Sequence, residues 1–187
     1  MAQLYLIRHA RSKMTGDLAR RWPLSKQGRR EANALARQDF WRGVKLIFSS
    51  PEPKAIQTAE PAARRWGIPL ETVDCLRELR RPQLVSDYEK VIARLFDDPG
   101  TSIAGLEPAA QATERINRCL QSLVAAHSER TLAVISHGLV LTLFLGRLRS
   151  RWPTVAEWQA VPFAGLAVVD INTWQLIKDW SRISEVS

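Results

Sequence analysis

Cysteine is scarce in this chain, and its scarcity excludes two kinds of site. Cys75 and Cys119 are the only thiols among 187 residues, and they form neither a CxxC pair nor the spacing of metal ligands. A thiol-based metal centre and a CxxC redox motif are therefore excluded. Because isolated cysteines are usually buried, we expect both residues to be free thiols in the core.

Long apolar runs are also missing. The most apolar stretch, residues 139–145, is far shorter than the roughly 18 residues that a membrane span needs. No basic segment with an apolar core precedes the first predicted strand, so no secretory signal is expected. The chain contains no repeat, low-complexity tract or linker that would divide it. The sequence therefore predicts a single domain over residues 1–187, located in the cytoplasm and without a membrane partner.

Acidic residues are outnumbered by basic ones, 19 against 27, which leaves a formal net charge of +8. A basic chain suits anionic partners, which include phosphorylated small molecules, nucleic acid and anionic lipid. Charge alone does not select among these three. Histidine is rarer still, with three residues, so the positions of the histidines are more informative than the net charge.

Four consecutive apolar residues near the start lead directly into a charged pair. The apolar run covers residues 4–7 and is followed by Arg8 and His9. A short unbroken run of this kind predicts a strand that is buried on both faces, as in a parallel sheet. Arg8 and His9 would then lie at the carboxyl end of that strand, where open α/β sheets bind their ligands.

Strand and helix patterns alternate along the rest of the chain, which predicts a three-layer α/β/α sandwich with a mostly parallel central sheet. Two apolar runs joined through Asn172 and Thr173 predict a C-terminal antiparallel hairpin. Ser86 begins a Ser-Asp-Tyr-Glu pattern, which predicts a capping box at the start of a helix. The strands are expected at residues 4–7, 46–48, 70–73, 132–135, 166–171 and 174–177, and three of the helices at about 26–40, 107–126 and 139–148.

Polar side chains follow three of the predicted strands, at the point where each strand ends. Because the carboxyl ends of parallel strands meet at one edge of a sheet, these side chains should lie close together. Two of the three histidines of the chain are among them. The segments are Arg8-His9 after the first strand, Ser49-Ser50 after the second, and Ser136-His137-Gly138 after the fourth.

Two histidines, an arginine and a helix N-terminus along one crevice are typical of a site for a phosphoryl group. The guanidinium of Arg8 presents a planar fork of donors that matches phosphate oxygens. The helix that starts near Gly138 presents free main-chain N–H groups and the positive end of its dipole. A neutral imidazole can attack phosphorus and carry the phosphoryl group covalently, and nearby cations disfavour its protonation.

The leaving oxygen of such a reaction needs a proton, so a carboxylic acid must reach the crevice. Glu78, in the loop of residues 76–82 after the third strand, is the best-placed candidate, and Glu107 is its main rival. Three arginines flank Glu78 in this loop. Cations at such a distance would favour the ionised form of the carboxyl group.

Five short motifs become informative when they are taken together in chain order. They are LIRHA at 6–10, PLSKQG at 23–28, SSPEPKAIQTA at 49–59, LRE at 76–78 and VISHG at 134–138. In this order they resemble the histidine phosphatase superfamily, in its phosphoglycerate-mutase-like branch, over about residues 4–150. The resemblance implies that His9 is the nucleophile and that Arg8 and His137 bind the phosphoryl group. It also implies that Glu78 donates the leaving-group proton and later acts as the base for water, with no metal or other cofactor.

Two positions depart from the pattern of that family. Ala10 replaces the usual glycine, and Lys54 stands where the family has a second phosphate-binding arginine. A lysine keeps the positive charge but lacks the bidentate fork of a guanidinium. The substrate-binding residues that we expect are Arg8, Ser12, Lys54, Arg77 and Gly138.

The function predicted from these observations is a metal-independent phosphatase that hydrolyses a phosphomonoester, or a protein phosphate, through a phosphohistidine on His9. No long insertion follows Glu78 or precedes His137, and a mutase would need such an insertion to enclose its bisphosphate intermediate. A hydrolase is therefore preferred over a phosphoglycerate-type mutase. The mutase is kept as an alternative, as is a catalytically weakened phosphate- or nucleic-acid-binding module on the same fold. The expected partner is a phosphorylated small molecule or protein rather than nucleic acid, and the sequence leaves the oligomeric state open.

Overall fold

A computed structural model of the chain describes residues 2–16, 18–81 and 85–182. Pro82, the last residue of the predicted loop, lies outside the described residues. The helices are α1 (Lys26–Ala36), α2 (Pro53–Trp66), α3 (Tyr88–Asp97), α4 (Ala109–Ala126), α5 (Gly138–Leu148) and α6 (Val155–Ala160). The strands are β1 (Gln3–Arg8), β2 (Leu46–Ser49), β3 (Leu70–Thr72), β4 (Leu132–Ser136), β5 (Leu166–Asp170) and β6 (Leu176–Ser181).

The six strands form one sheet in the order β3-β2-β4-β1-β5-β6. Strands β1 to β4 run parallel to one another, whereas β5 is antiparallel to both β1 and β6. The predicted α/β class, with its mostly parallel sheet and C-terminal hairpin, is confirmed. Strand β4 lies between β1 and β2, so the polar residues that follow these three strands emerge side by side.

Alternating side chains of the central strands enter two separate apolar cores. Leu4 and Leu6 of β1 belong to the core that α3, α4 and α5 cover. Ile7 belongs to the core that α1 and α2 cover on the opposite face of the sheet. Helices therefore cover both faces, which explains why the parallel strands are apolar without alternation.

The first helix begins as predicted and ends earlier. The side chain of Ser25 accepts a hydrogen bond of 3.0 Å from the N–H of Gly28, as expected for an N-cap. Helix α1 stops at Ala36, and residues 39–43 form a separate 3-10 turn. The buried indole of Trp41 donates from Nε1 to the carbonyl oxygen of Leu35 at 2.7 Å, which ties this turn to the end of the helix.

The predicted capping box at Ser86 is wrong. Helix α3 begins at Tyr88, and its N-cap residue Asp87 has a φ of 49° and makes no side-chain cap. An N-cap side chain reaches the first turn from an extended backbone, which Asp87 does not have. A capping box is found instead between Thr154 and Glu157 at α6, a helix that the sequence pattern did not predict.

The expectation of free cysteine thiols is also wrong, because Cys75 and Cys119 form a disulfide. Cys75 lies in a 3-10 turn of residues 74–76, and Cys119 lies on α4. Their Cα atoms are 5.9 Å apart, which is within the usual range for a disulfide. The two residues are separated by 44 positions, so only the packing of the turn against α4 brings them together.

Among the described helices, none is long and apolar enough to cross a membrane.

Candidate active site

The two histidines that follow buried strands meet at one edge of the sheet. Arg8 at the end of β1 is in register with Ser136 at the end of β4, and the N–H of His9 donates to the carbonyl oxygen of Ser136 at 2.9 Å. The imidazole rings of His9 and His137 consequently lie edge to face, with their centroids 5.1 Å apart. The parallel pairing of two strands, distant in sequence, thus creates the centre of the site.

His9 presents one ring nitrogen for chemistry. Its Nδ1 lies 2.7 Å from the carbonyl oxygen of Ala10, and since a carbonyl oxygen only accepts, Nδ1 carries the proton and Nε2 keeps its lone pair. The side chain is buried. Burial, together with the charges of Lys54 and Arg8, lowers the pKa of His9 to about 3, so the imidazole is neutral at physiological pH.

His137 is fully buried and is also neutral. Burial is the main cause that lowers the pKa of His137 well below its ordinary value, and the positive charge of Lys54 lowers it further. Its Nε2 lies 2.8 Å from the hydroxyl oxygen of Ser50, which also accepts a 3.3 Å bond from the N–H of Glu52. The ring proton of His137 lies on Nδ1 when this hydroxyl donates to Nε2, and on Nε2 when the hydroxyl accepts.

Arg8 lies in a tight pocket between the site and the segment after α6. One terminal nitrogen donates to the carbonyl oxygen of Val161, and its guanidinium carbon lies 3.8 Å from the centroid of the Phe163 ring. A Cβ at Gly138 would lie 3.0 Å from Nε of Arg8, so the glycine allows this side chain to pack closely against the start of α5. Burial lowers the pKa of Arg8 to about 10, which leaves it cationic at neutral pH.

Two buried nitrogens of the site have no partner. Among the described residues, the buried side-chain nitrogen and oxygen atoms without a hydrogen bond are Nε of Arg8 and Nδ1 of His137. Unpaired buried polar atoms are rare in folded proteins and often mark a place where a ligand belongs. Both atoms lie where the sequence predicts phosphoryl-binding residues, and both can donate.

Glu78 caps the helix that follows His137. Its carboxylate accepts hydrogen bonds from the N–H groups of Leu139 and Val140, at 3.2 and 3.1 Å, at the start of α5. The N–H groups expected to be free for a phosphoryl group are therefore partly occupied by a carboxylate, which suits the positive end of a helix. Burial raises the pKa of Glu78, main-chain hydrogen bonds including that of Leu79 lower it, and the charge of Glu52 raises it, with a net increase.

The flanking arginines do not set this pKa, although the sequence predicted that they would favour ionisation. Arg77 pairs with Asp74, and the guanidinium of Arg81 lies 4.7 Å from the ring of Tyr88. Both side chains have other partners, which their proximity to Glu78 in sequence could not reveal.

Glu107, the rival acid, is committed to an ion pair. Both of its carboxylate oxygens accept from Arg115, at 2.9 and 2.8 Å, and one also accepts from the N–H of Arg80. Burial alone would raise the pKa of Glu107, but the hydrogen bonds from Arg115 and Arg80 outweigh it and lower the pKa. A carboxyl group held in its ionised form is poorly suited to donate a proton.

Lys54 is buried near the start of α2 rather than exposed to solvent. Its Nζ forms an ion pair with Glu52 and donates to the carbonyl oxygen of Ala19 at 2.9 Å. Glu52 was missed by sequence reasoning, although it stands two residues before Lys54 in the turn between β2 and α2. An acidic residue in that turn, so close to a predicted phosphate-binding cation, is the signal that could have identified it.

Three of the predicted residues, Lys54, Arg77 and Glu78, line a cleft of about 740 Å³. Glu52 also lines it, as do three further basic residues, Arg20, Arg80 and Arg81. Neither strand-end histidine lines this cleft, and Arg8 lines a separate cavity of about 490 Å³. Ser12 lines neither cavity and forms an isolated bridge with Leu24. Within the described part of the chain, no group of three or more His, Cys, Asp or Glu residues is placed to hold a metal ion.

Solved structures with the same fold include several phosphatases. A mycobacterial glucosyl-3-phosphoglycerate phosphatase bound to VO3 is 24% identical, with a TM-score of 0.77 over 98% of this chain and 100% of that one. A phosphoserine phosphatase from Entamoeba histolytica, bound to 3-phosphoglyceric acid, is 18% identical, with a TM-score of 0.79 and full coverage of both chains. YhfR from Bacillus stearothermophilus is 21% identical, with a TM-score of 0.75 over 100% of this chain and 98% of that one.

No curated protein matches the sequence. The sequence does match the family described as the histidine phosphatase superfamily (branch 1), and the match extends over residues 4–178. This range includes both strand-end histidines, the loop of Glu78 and all six helices. The chain therefore belongs to branch 1 of the histidine phosphatase superfamily.

Proposed function

We propose that this protein is a phosphatase that hydrolyses phosphomonoesters through a phosphohistidine on His9. The observation that carries the proposal is the pair of buried, unpartnered nitrogens, Nε of Arg8 and Nδ1 of His137. Nε of Arg8 is a donor, and we assign the ring proton of His137 to Nδ1, so that both nitrogens donate to the oxygens of a phosphoryl group. Two phosphatases among the similar structures support hydrolysis as the reaction.

The first half of the proposed reaction transfers the phosphoryl group to the protein. The lone pair on Nε2 of His9 attacks phosphorus, a P–N bond forms, and the P–O bond to the leaving group breaks. Arg8 and His137 stabilise the charge on the equatorial oxygens. The carboxyl group of Glu78, whose pKa burial raises, gives its proton to the leaving oxygen.

The second half returns the site to its starting state. The carboxylate of Glu78 takes a proton from water as the water oxygen attacks phosphorus. The P–N bond breaks, inorganic phosphate leaves, and Nε2 of His9 recovers its lone pair. The same carboxyl group thus acts first as acid and then as base, and the proposal needs no metal.

The test is hydrolysis of an aryl phosphate in the presence of a chelator, combined with trapping of the labelled protein. We expect turnover, an acid-labile label on His9, and a loss of at least about 1,000-fold in kcat/KM for His9→Ala. The matched control is His127→Ala, because His127 lies at the C-terminal end of α4 outside the site and should tolerate the change. Turnover in His9→Ala, or an acid-stable label on Ser12, Ser49 or Ser50, contradicts the mechanism.

Three other results would favour the alternative activities. Phosphate binding without turnover indicates a binding module on this fold, and salt-sensitive affinity for nucleic acid indicates the nucleic-acid alternative. Transfer of the phosphoryl group to a second hydroxyl, instead of water, indicates a mutase. A panel of small phosphomonoesters and phosphorylated peptides then distinguishes the two proposed substrate classes.

A further inference from the structure

The carboxylate of Glu52 is buried at the centre of the site, although the proposed mechanism does not use it. Its side chain is only 4% exposed. One carboxylate oxygen accepts a 3.2 Å hydrogen bond from the N–H of Glu78 and lies 3.5 Å from Nε2 of His137. The other oxygen pairs with Lys54. A single buried anion therefore contacts Glu78 and His137, to which the proposed reaction assigns a part, and Lys54, which the sequence predicts to bind phosphate.

The ion pair between Glu52 and Lys54 determines where the lysine charge lies. The Lys54 side chain is 7% exposed, and its remaining described hydrogen bond is to the carbonyl oxygen of Ala19. A buried ammonium needs such partners because its desolvation is costly. Without the carboxylate, a flexible lysine side chain has one main-chain acceptor here and no charged one.

We propose that Glu52 is a positioning residue of the phosphatase site, whose carboxylate directs the Lys54 ammonium and fixes the main chain of Glu78 beside His137. This inference rests on the proposed phosphatase function. Glu52 acts through these neighbours, and we assign it no contact with the substrate.

The charge of Glu52 has a second consequence for Glu78. A nearby like charge disfavours ionisation, so Glu52 adds to the effect of burial and keeps the acid protonated to higher pH. Removing that charge should let Glu78 lose its proton at lower pH. The titratable or charged groups around Glu78 include Arg8 of β1, Glu52 and Lys54 near the start of α2, Tyr88 of α3, and Arg115 of α4. The cleft that Glu78 lines also carries Asp74, Arg77, Arg80, Arg81 and Glu107.

The first measurement is a pH titration of Glu78, monitored by carboxyl ¹³C NMR in the wild type and in Glu52→Gln. Glu78→Gln assigns the resonance. We expect the titration midpoint of Glu78 to fall by about one pH unit in Glu52→Gln. The alkaline limb of the kcat/KM profile should move in the same direction and by a similar amount, because the acid form is lost earlier. A merely structural role would lower activity without moving either midpoint.

The matched control is Glu157→Gln, which likewise removes a carboxylate from an ion pair. The partner of Glu157 is an arginine, and the pair lies outside the cleft. The pH profile of Glu157→Gln should coincide with that of the wild type. If the midpoint of Glu78 is unchanged in Glu52→Gln, the proposal for Glu52 is overturned. The NMR titration needs no turnover, so a wild type without phosphatase activity rejects the proposed function and leaves this measurement readable.

The second measurement is a double-mutant cycle between Glu52→Gln and Lys54→Met. We expect Lys54→Met alone to lower kcat/KM by about 10- to 100-fold, the usual effect of losing a charge-assisted hydrogen bond. In the Glu52→Gln background, Lys54→Met should lower kcat/KM by less than about threefold, because the carboxylate that directs the Lys54 ammonium is already absent. Equal losses in both backgrounds overturn the positioning role.

The double variant also covers the case in which Glu52→Gln fails to fold. Glu52→Gln leaves a buried ammonium without its counter-charge, whereas the double variant removes both charges and keeps the side-chain volumes similar. Its Glu78 midpoint is then compared with that of Lys54→Met, and the expected difference is again about one pH unit. Identical midpoints in these two variants contradict the proposal.

Discussion

Burial acts in opposite directions on the two kinds of titratable residue in the site. It lowers the pKa of His9 to about 3, and Lys54 adds to this effect, so the imidazole is neutral and nucleophilic at physiological pH. It raises the pKa of Glu78, so the carboxyl group keeps its proton to higher pH. A neutral nucleophile beside a protonated acid is the combination that the first half of the proposed reaction needs.

Glu78→Gln should therefore slow substrates according to their leaving group. The leaving group of an activated aryl phosphate departs without protonation, so kcat/KM for such a substrate should fall by about tenfold or less. For an alkyl phosphate, kcat/KM should fall by at least about 100-fold. The measurement is kcat/KM across a series of leaving groups of increasing pKa. The dependence on leaving-group pKa should be steeper in Glu78→Gln than in the wild type.

Glu107→Gln is the comparison for this series. Because Glu107 is held ionised by Arg115, its replacement should affect good and poor leaving groups by the same factor. Equal losses for Glu78→Gln, together with a selective loss for Glu107→Gln, would assign the acid role to Glu107.

Two helices hold the loop that carries Glu78. Arg115 of α4 donates to the carbonyl oxygens of Cys75 and Arg77, at 2.8 and 3.0 Å. The disulfide joins the same loop to α4, while the first N–H groups of α5 bind the carboxylate of Glu78 itself. The position of the acid is therefore set by α4 and α5 rather than by the local sequence of the loop.

Loss of the disulfide should affect stability more than activity. In the double variant Cys75→Ser/Cys119→Ser the free energy of unfolding should fall by about 2–4 kcal/mol, because the bond restricts the unfolded chain across a separation of 44 residues. Since the hydrogen bonds of Arg115 still hold the loop, kcat/KM at 25 °C should stay within about threefold of the wild type. Denaturant unfolding and initial-rate assays measure the two quantities.

Reductant provides the control for this experiment. It should destabilise the wild type and leave the double serine variant unchanged, and an unchanged wild type would contradict a stabilising disulfide. Disulfides are rare in reducing compartments. Thiol labelling in freshly opened cells therefore also tests the predicted cytoplasmic location.

Folding of the whole molecule requires two imidazoles to remain neutral inside the protein. The unfolded chain binds a proton at His9 with the ordinary pKa of 6.5, whereas the native state binds it only near pH 3. Between these values the unfolded state holds more protons, so stability falls as the pH decreases from about 6.5 towards 3. His137 acts in the same direction, because burial and Lys54 also lower its pKa.

His9→Asn should reduce this sensitivity to acid. At pH 5, the neutral His9 costs about 2 kcal/mol of the stability present at pH 7. Denaturant unfolding at pH 7 and pH 5 should therefore show a smaller pH-dependent loss in His9→Asn by about that amount. His127→Asn, outside the site, should retain the loss of the wild type, and an identical loss in all three proteins would contradict a buried neutral His9.

Local sequence patterns were sufficient to predict the fold class and much of the site. The apolar runs before Arg8 and before Ser136 indicate buried parallel strands, and parallel strands bring their carboxyl ends to one edge. For the same reason, the proximity of His9 and His137 could be expected before any coordinates. The cap at Ser25 was also predictable, since it depends on residues within one helical turn.

Other features depend on contacts between distant parts of the chain, and only the tertiary structure decided them. The bond between Cys75 and Cys119 and the cap that Glu78 forms on α5 join segments separated by 44 and about 60 residues. The burial of Glu52 with Lys54 likewise follows from packing against residue 19 and the loop of Glu78. Hydrophobic periodicity encodes which face of an element is buried. The partner of a buried charge or thiol is determined by which elements pack together, and no local pattern contains that information.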